Sequence, residues 1–213
     1  MLTLAKRGAQ LDTLVKEGRW KERLDAIPMD LNGKTLVVVG CGRIGSRTTK
    51  RAGAMEMDVH VYDPYVKPEV ITALGATPVK DLDAALAKAD FVTIHCPKTP
   101  ETAGMFDAAR LARLRPHAFL VNTARGGIVD EPALHAALTS GKLAGAGIDV
   151  FATEPPAKDH PLFRLSNVIT APHMAGVTKE AMDRMATQAA ENVLSVFDGR
   201  PNRDNVINKE VLG

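Results

Sequence analysis

Three ionisable residues in the second half of this 213-residue chain sit where short apolar runs give way to loops: Arg125 before two glycines, Glu154 before Pro155–Pro156, and His173 after Pro172. An imidazole titrates near neutral pH and can take or return the hydroxyl proton of an alcohol. A carboxylate bonded to its other ring nitrogen would fix the tautomer and stabilise the imidazolium. A guanidinium offers a rigid fork for a substrate carboxylate and a positive charge for a developing oxyanion. These are the groups that interconvert a 2-hydroxy acid and a 2-oxo acid, provided that a hydride acceptor lies beside them. Each residue alone has a plainer explanation: a turn-starting arginine, a solvated glutamate, a loop-capping histidine. The functional weight comes from their convergence.

The hydride acceptor has its own signature in KTLVVVGCGRIGSRTTKRAGAMEMDVHVYD, residues 34–63. A strand-like run, Thr35 to Val39, breaks into Gly40-Cys41-Gly42-Arg43-Ile44-Gly45, continues as a helical stretch to about Met57, and returns as a second strand ending on Asp63. In such a G-x-G-x-x-G turn Gly40 permits the tight exit from the strand, Gly42 lets the backbone approach a pyrophosphate, and Gly45 lets the helix pack close to the sheet. Phosphates then meet free N–H groups at a helix N-terminus. Asp63, eighteen residues after Gly45, suits the diol of an adenosine ribose. Pro64 and Tyr65 follow it, so no basic residue waits for a 2′-phosphate, and NAD is expected rather than NADP.

The elements that must position these groups alternate along the chain. Residues 1 to about 17 place Leu4, Gly8, Leu11 and Val15 on one stripe with Leu14 beside it, which predicts a single amphipathic helix. Residues 18–33 are polar and turn-rich. After Asp63 the pattern predicts a helix over 68–75, a strand at 77–79, a helix over 81–89 capped by Asp81, and a strand at 91–95 ending on Cys96-Pro97. A helix over 107–114, a strand at 118–121, a helix over 132–139, a strand at 146–150, a proline-rich loop over 152–166 and a strand at 168–170 follow. A last helix over 178–197 carries Met182, Met185, Ala189, Val193 and Val196 on one stripe. The alternation predicts an α/β fold: a Rossmann-type, doubly wound parallel sheet with flanking helices. We expect three segments: 1–33 as crossing helix and linker, 34–176 as the coenzyme-binding domain, 177–213 as C-terminal helix and tail.

Composition bounds the partners. With 45% hydrophobic and 24% charged residues and a formal charge of +2, neither nucleic acid nor a membrane surface is expected as a partner. Arg110, Arg113 and Arg115 cluster beside Leu111 and Leu114 and read as a solvated helix face. Two cysteines, Cys41 and Cys96, give no disulfide framework and suit a reducing cytoplasm. No metal site is expected. Nothing in residues 1–18 reads as a signal peptide, and no apolar run approaches transmembrane length.

Taken together, GCGRIG (40–45), NTARGGIVDE (122–131), GIDVFATEPP (147–156) and APHMAG (171–176) resemble the D-isomer-specific 2-hydroxyacid dehydrogenase family, and within it most the 3-phosphoglycerate dehydrogenases. The resemblance covers about residues 4–208. It implies a Rossmann-type coenzyme domain joined to a flavodoxin-like substrate domain, NAD as cofactor, a small 2-hydroxy or 2-oxo acid as substrate, and a homodimer or tetramer. By the same resemblance the active-site residues fall on Arg125, Glu154 and His173. Coenzyme contacts fall on Arg43 and Ile44 at the pyrophosphate, on Asp63 at the ribose, on Cys96, Pro97 and Thr102 near the adenosine side, and on Thr123, Ala124, Asp149, His173 and Gly176 around the nicotinamide. In related formate dehydrogenases the position of Glu154 is glutamine, which counts against that activity.

Members of the family carry about a hundred further residues before this point, with a glycine-bearing loop that holds the substrate carboxylate. We therefore expect Met1 to be an internal methionine, and the isolated chain to bind NAD(H) while turning over poorly. Two alternatives remain open. One is an NAD(H)-sensing binding module like the C-terminal-binding-protein corepressors, which resemble the family and keep the same three residues. The other is a glyoxylate or hydroxypyruvate reductase within the enzyme class.

Overall fold

The computed structural model describes residues 1–25 and 27–212, and the chain forms two compact units, 1–173 and 174–213. The first is built on seven strands: β1 (Thr35–Val39), β2 (Asp58–Tyr62), β3 (Thr77–Val79), β4 (Phe91–Ile94), β5 (Phe119–Asn122), β6 (Gly145–Ile148) and β7 (Val168–Thr170). They pair in the order β3-β2-β1-β4-β5-β6-β7, and every pairing is parallel. The sequence order reverses between β1 and β4, which opens a crevice at the carboxyl ends of these two strands. The predicted doubly wound sheet is therefore the observed one.

Side-chain alternation along the strands divides the core. Val37 and Val39 pack with Val92, Ile94, Leu120, Ile148 and Leu134 on one face of the sheet. Leu36 and Val38 pack with Ala52, Met57, Val59, Val61 and Ile71 on the other. Phe91 and Phe119 are register partners across β4 and β5, and their rings stack at 5.3 Å, a contact worth about 0.5–1.5 kcal/mol beyond the area it buries. Leu4, Ala5 and Leu31 belong to this second face, so the opening segment is part of the same unit as the sheet.

Several helices are shorter than the spacing predicts. The single opening helix is in fact two, α1 (Leu2–Ala5) and α2 (Gly8–Lys16), divided at Arg7, whose φ of 48° is left-handed. The buried positions are Leu4, Ala5 and Leu14, while Val15 is exposed, because the break rotates the predicted stripe out of line. The helix after the glycine turn, α3, runs Gly45–Gly53 and stops short of Met57. Glu56 turns the chain with φ 59° and its carbonyl accepts from the Gly33 N–H, so Met57 enters the core as a turn residue.

The remaining α-helices of this unit are α4 (Pro68–Thr72), α5 (Leu82–Leu86), α6 (Ala108–Leu111) and α7 (Glu131–Thr139), among the described residues. Asp81, Asp107 and Asp130 cap α5, α6 and α7, each carboxylate accepting an N–H from the first turn. Such a cap is worth about 1 kcal/mol.

Arg113 and Arg115 are exposed, as expected of a solvated face, while Arg110 is half-buried and departs from it. Arg110 Nε lies 2.7 Å from Asp83 Oδ1 and its guanidinium also donates to the Met105 carbonyl at 2.7 Å. Arg113 approaches the other Asp83 oxygen at 3.5 Å, and Arg115 approaches Asp90 at 3.8 Å. The bonded Arg110 holds the Asp83 carboxyl below its ordinary value. The three arginines tie α6 and the strand that follows to α5 and to the entrance of β4.

In the second unit, Thr178 caps α8 (Lys179–Phe197) by accepting from the Ala181 N–H. Its apolar stripe, with Met182, Met185, Val193 and Val196, is exposed. Among the described residues no helix is long and apolar enough to cross a membrane.

Candidate active site and coenzyme turn

At the end of β1 the backbone leaves the sheet with Gly40 at φ 96°, and a β-carbon there would lie 2.7 Å from the Cys96 amide nitrogen. A β-carbon at Gly45 would lie 1.9 Å from the Gly40 carbonyl oxygen. Both glycines are required by close approach: β1, β4 and the start of α3 converge too tightly for any side chain. Gly42 differs, since nothing lies within 4 Å of a β-carbon placed on it. Among the described residues the amides of Gly42, Arg43, Ile44 and Gly45 donate to no group of the chain, as the first turn of a helix leaves them. They form an N–H cradle suited to a pyrophosphate. Arg43 and Ile44 are exposed at its rim.

Asp63 stands against the glycine turn. One carboxylate oxygen accepts from the Cys41 N–H at 2.7 Å and the other from the Tyr65 N–H at 2.9 Å. The acid at the end of β2 is thus fixed over the glycine turn, and each oxygen keeps acceptor capacity for a ribose hydroxyl. Tyr65 donates its hydroxyl to Glu101 at 2.5 Å, which ties a second carboxylate to the segment that follows Asp63. These features fit NAD and disfavour an added 2′-phosphate.

The loop after β4 is held from within. Thr102 Oγ1 donates to the Pro97 carbonyl at 2.6 Å and accepts from the Thr99 N–H at 2.8 Å, which commits a buried hydroxyl to shaping the Cys96–Thr102 segment. The thiols of Cys41 and Cys96 are both pushed up, in each case chiefly by burial, so they stay protonated at neutral pH and act by packing. His95 was not singled out by the sequence pattern. Its ring bonds Thr93 Oγ1 at 3.0 Å, and burial pushes it down to about 4. It is a neutral support under the turn, set against Gly45.

The three ionisable residues come from the loops after β5, β6 and β7. His173 Nδ1 lies 2.8 Å from Glu154 Oε2, and Glu154 Oε1 accepts from the Phe151 N–H at 3.0 Å. The His173 bond, then the Phe151 N–H, and the more distant Arg125 charge hold the Glu154 carboxyl below its ordinary value. Glu154 is therefore a carboxylate facing an imidazole N–H, with His173 Nε2 left for other work. His173 adopts a left-handed φ of 58°, stabilised by its own N–H donating to the Asp149 carbonyl at 2.8 Å. Backbone strain of this kind in a bulky residue is characteristic of functional positions.

Arg125 is carried on a loop ordered by Asn122, a buried residue that the motif contains but whose task its spacing does not reveal. Asn122 Oδ1 accepts from the Ala124 N–H and its Nδ2 donates to the Arg125 carbonyl, both at 3.0 Å. The exposed Arg125 guanidinium donates to the Ala124 carbonyl at 2.6 Å. Thr123 and Ala124 are half-buried beside it, and Asp149 is buried at the end of β6. Next to the Glu154–His173 pair lies a cleft of about 300 Å³ lined by Phe151, Pro155, Phe163, Thr170 and Pro172. Gly176 belongs to the second unit, in the segment before α8, and the arrangement above is assembled without it.

Comparison with known proteins points the same way. Residues 1–175 match the description "D-isomer specific 2-hydroxyacid dehydrogenase, NAD binding domain". A D-3-phosphoglycerate dehydrogenase of Archaeoglobus fulgidus is 42% identical over 97% of this chain and 39% of its own length. A glyoxylate reductase of Thermofilum pendens is 39% identical over the whole of this chain and 63% of its own length. The crystal structure of a D-lactate dehydrogenase from Aquifex aeolicus, complexed with NAD and lactic acid, superposes with a TM-score of 0.84 at 34% identity, over 93% of this chain and 64% of that one. The chain thus spans about two fifths of the phosphoglycerate dehydrogenases it matches.

Proposed function

Because the chain belongs to the D-isomer-specific 2-hydroxyacid dehydrogenase family as its NAD binding domain, we propose that the protein carrying it oxidises a D-2-hydroxy acid reversibly to the 2-oxo acid. The observation that carries this reading is the His173–Glu154 contact of 2.8 Å, with Arg125 close enough to influence the same carboxylate. NAD, when bound, supplies the hydride acceptor; the amides of Gly42–Gly45 and the Asp63 carboxylate would hold it. Everything else falls to the chain's own side chains. His173 takes the substrate hydroxyl proton on Nε2 during oxidation and returns it during reduction. Glu154 keeps the proton of the other nitrogen on Nδ1 and stabilises the imidazolium that forms. Arg125 orients the substrate carboxylate and its charge favours the alkoxide oxygen.

Among substrates of this class we favour 3-phospho-D-glycerate, which rests on the identities near 42% to several phosphoglycerate dehydrogenases. We further propose a cytoplasmic homodimer or tetramer in which residues 34–176 act as the coenzyme domain, with 1–33 and 177–213 leading to the substrate domain. NADH production by the whole protein with 3-phospho-D-glycerate, D-lactate, D-glycerate and glycolate as alternatives tests the reading. Highest kcat/KM with the phosphorylated acid is expected. A preference for glycolate, run in reverse as glyoxylate reduction, would replace the phosphoglycerate assignment, and no turnover with any hydroxy acid would overturn the enzyme class.

A further inference from the structure

A second carboxylate–imidazole pair lies directly behind the first. Glu131 is the first residue of α7, and its Oε1 accepts from the Ala152 N–H at 2.6 Å while its Oε2 lies 3.1 Å from His160 Nε2. Both side chains are only 16% exposed. The arrangement repeats that of Glu154, which accepts from the neighbouring Phe151 N–H and pairs with His173. Two glutamates thus grip consecutive amides of the loop after β6, and each is backed by a histidine.

The two grips differ in rigidity. Glu131 is set on a nine-residue helix capped by Asp130, where negative charge is favoured by the helix dipole. The His160 ring stands edge-on to Phe151 at 5.5 Å and lies 5.2 Å from Phe163, and Phe151 and Phe163 meet edge-on at 5.6 Å. His160 Nδ1 is buried without a hydrogen-bond partner among the described residues, so the ring's only polar tether is Glu131. By contrast Glu154 and His173 are part-exposed, at 36% and 49%, on the loops that follow β6 and β7. The inner pair therefore supplies what the outer pair lacks: a fixed reference for the Phe151–Ala152 peptide from which Glu154 is aimed.

We propose that Glu131 and His160 are positioning residues for the acid–base pair, acting through the Ala152 amide and the Phe151 ring to keep the Glu154 carboxylate on His173 Nδ1. The importance of this rests on the reading that His173 and Glu154 move the proton, but the coupling itself does not need turnover to be observed. Nitrogen-15 NMR of the six histidine rings, assigned by single substitution, reports which ring nitrogen of His173 carries the proton.

In the unaltered protein His173 is expected to show one tautomer, protonated on Nδ1. Glu154→Gln sets the reference for a weakened partner. Glu131→Gln is expected to shift the His173 ring resonances in the same direction, toward the mixed values of a solvated imidazole, with amide dispersion of the fold retained. His160→Phe keeps the ring contacts with Phe151 and Phe163 but deprives Glu131 of its partner. It should give a smaller shift of the same sign, and it decides the matter should Glu131→Gln fail to fold. A folded Glu131→Gln or His160→Phe protein with His173 signals unchanged would overturn the proposal and leave the inner pair a stability feature. A variant in which the His173 signals shift while turnover by the whole protein is fully retained would leave the coupling standing and count against the proton-transfer reading instead.

Discussion

Gly126 and Phe151 touch backbone to backbone: a β-carbon on Gly126 would fall 1.7 Å from the Phe151 carbonyl oxygen and 2.1 Å from its carbon. This approach brings the Arg125 loop against the loop that carries Glu154. Backbone atoms cannot yield as a flexible side chain can, so Gly126→Ala must part the two loops. Overpacking of this kind costs about 1–3 kcal/mol, and displacement of Arg125 should lower kcat/KM more than stability alone accounts for. Thermal unfolding together with kinetics on Gly126→Ala checks this; a variant with unaltered kinetics would show that the loops need not touch.

The Glu154–His173 contact makes a sharper kinetic statement. His173→Ala removes the proton acceptor and should lower kcat by about 10²–10⁴-fold, the usual contribution of a positioned acid or base, while NADH affinity stays within several-fold. Glu154→Gln retains the shape but leaves the tautomer unspecified, and should lower kcat while KM changes little. Stopped-flow hydride transfer with both variants separates chemistry from binding, and full activity in His173→Ala would remove it from the role.

Much of this site was legible because its parts are local. The glycine turn, the strand-end Asp63 and the residues Arg125, Glu154 and His173 each lie where one strand stops, and parallel alternation puts all strand ends on one edge. What was not legible depends on distant contact. Arg7 has no intrinsic preference for a left-handed backbone, and the break at Arg7 follows from how the Ala5 carbonyl accepts the Met29 N–H while Leu4 and Ala5 enter the core. Glu131 looks like a helix-start acid and His160 like a loop histidine; only the fold brings them to 3.1 Å. Gly126 shows no positive φ among the chain's glycines, so its necessity comes wholly from a loop some twenty-five residues on.

Asp63 holds the Cys41 and Tyr65 amides and is proposed to bond the coenzyme ribose, so its replacement should act twice. Asp63→Ala removes a charged acceptor worth about 1.5–3 kcal/mol per bond, which corresponds to roughly 10- to 100-fold weaker NADH binding. Asp63→Asn should lose less, since it keeps one acceptor. Calorimetric titration with NADH and NADPH checks both, with the preference between the two coenzymes narrowing in Asp63→Ala. Unchanged NADH affinity would exclude Asp63 from the ribose site.

At the opposite end of the sheet, Asp90 ties three segments together. One oxygen accepts from the Thr35 N–H at 2.9 Å and the other meets His117 Nε2 at 2.8 Å. Burial tends to raise its carboxyl, but the Thr35 N–H and His117 outweigh this and hold it below the ordinary value of 3.8. A carboxylate whose folded value is depressed stabilises the fold fully above its unfolded value and loses that contribution as pH falls through the folded one. Asp90→Asn should thus destabilise the protein at neutral pH by about 1–3 kcal/mol, with no direct change at the Glu154–His173 pair. Denaturant titrations of both proteins should show a gap that persists down to about pH 5 and shrinks below about 3.8, where the parent carboxyl begins to protonate. A gap that stays constant through that acid range would mean that the charge of Asp90, as distinct from its shape, contributes nothing.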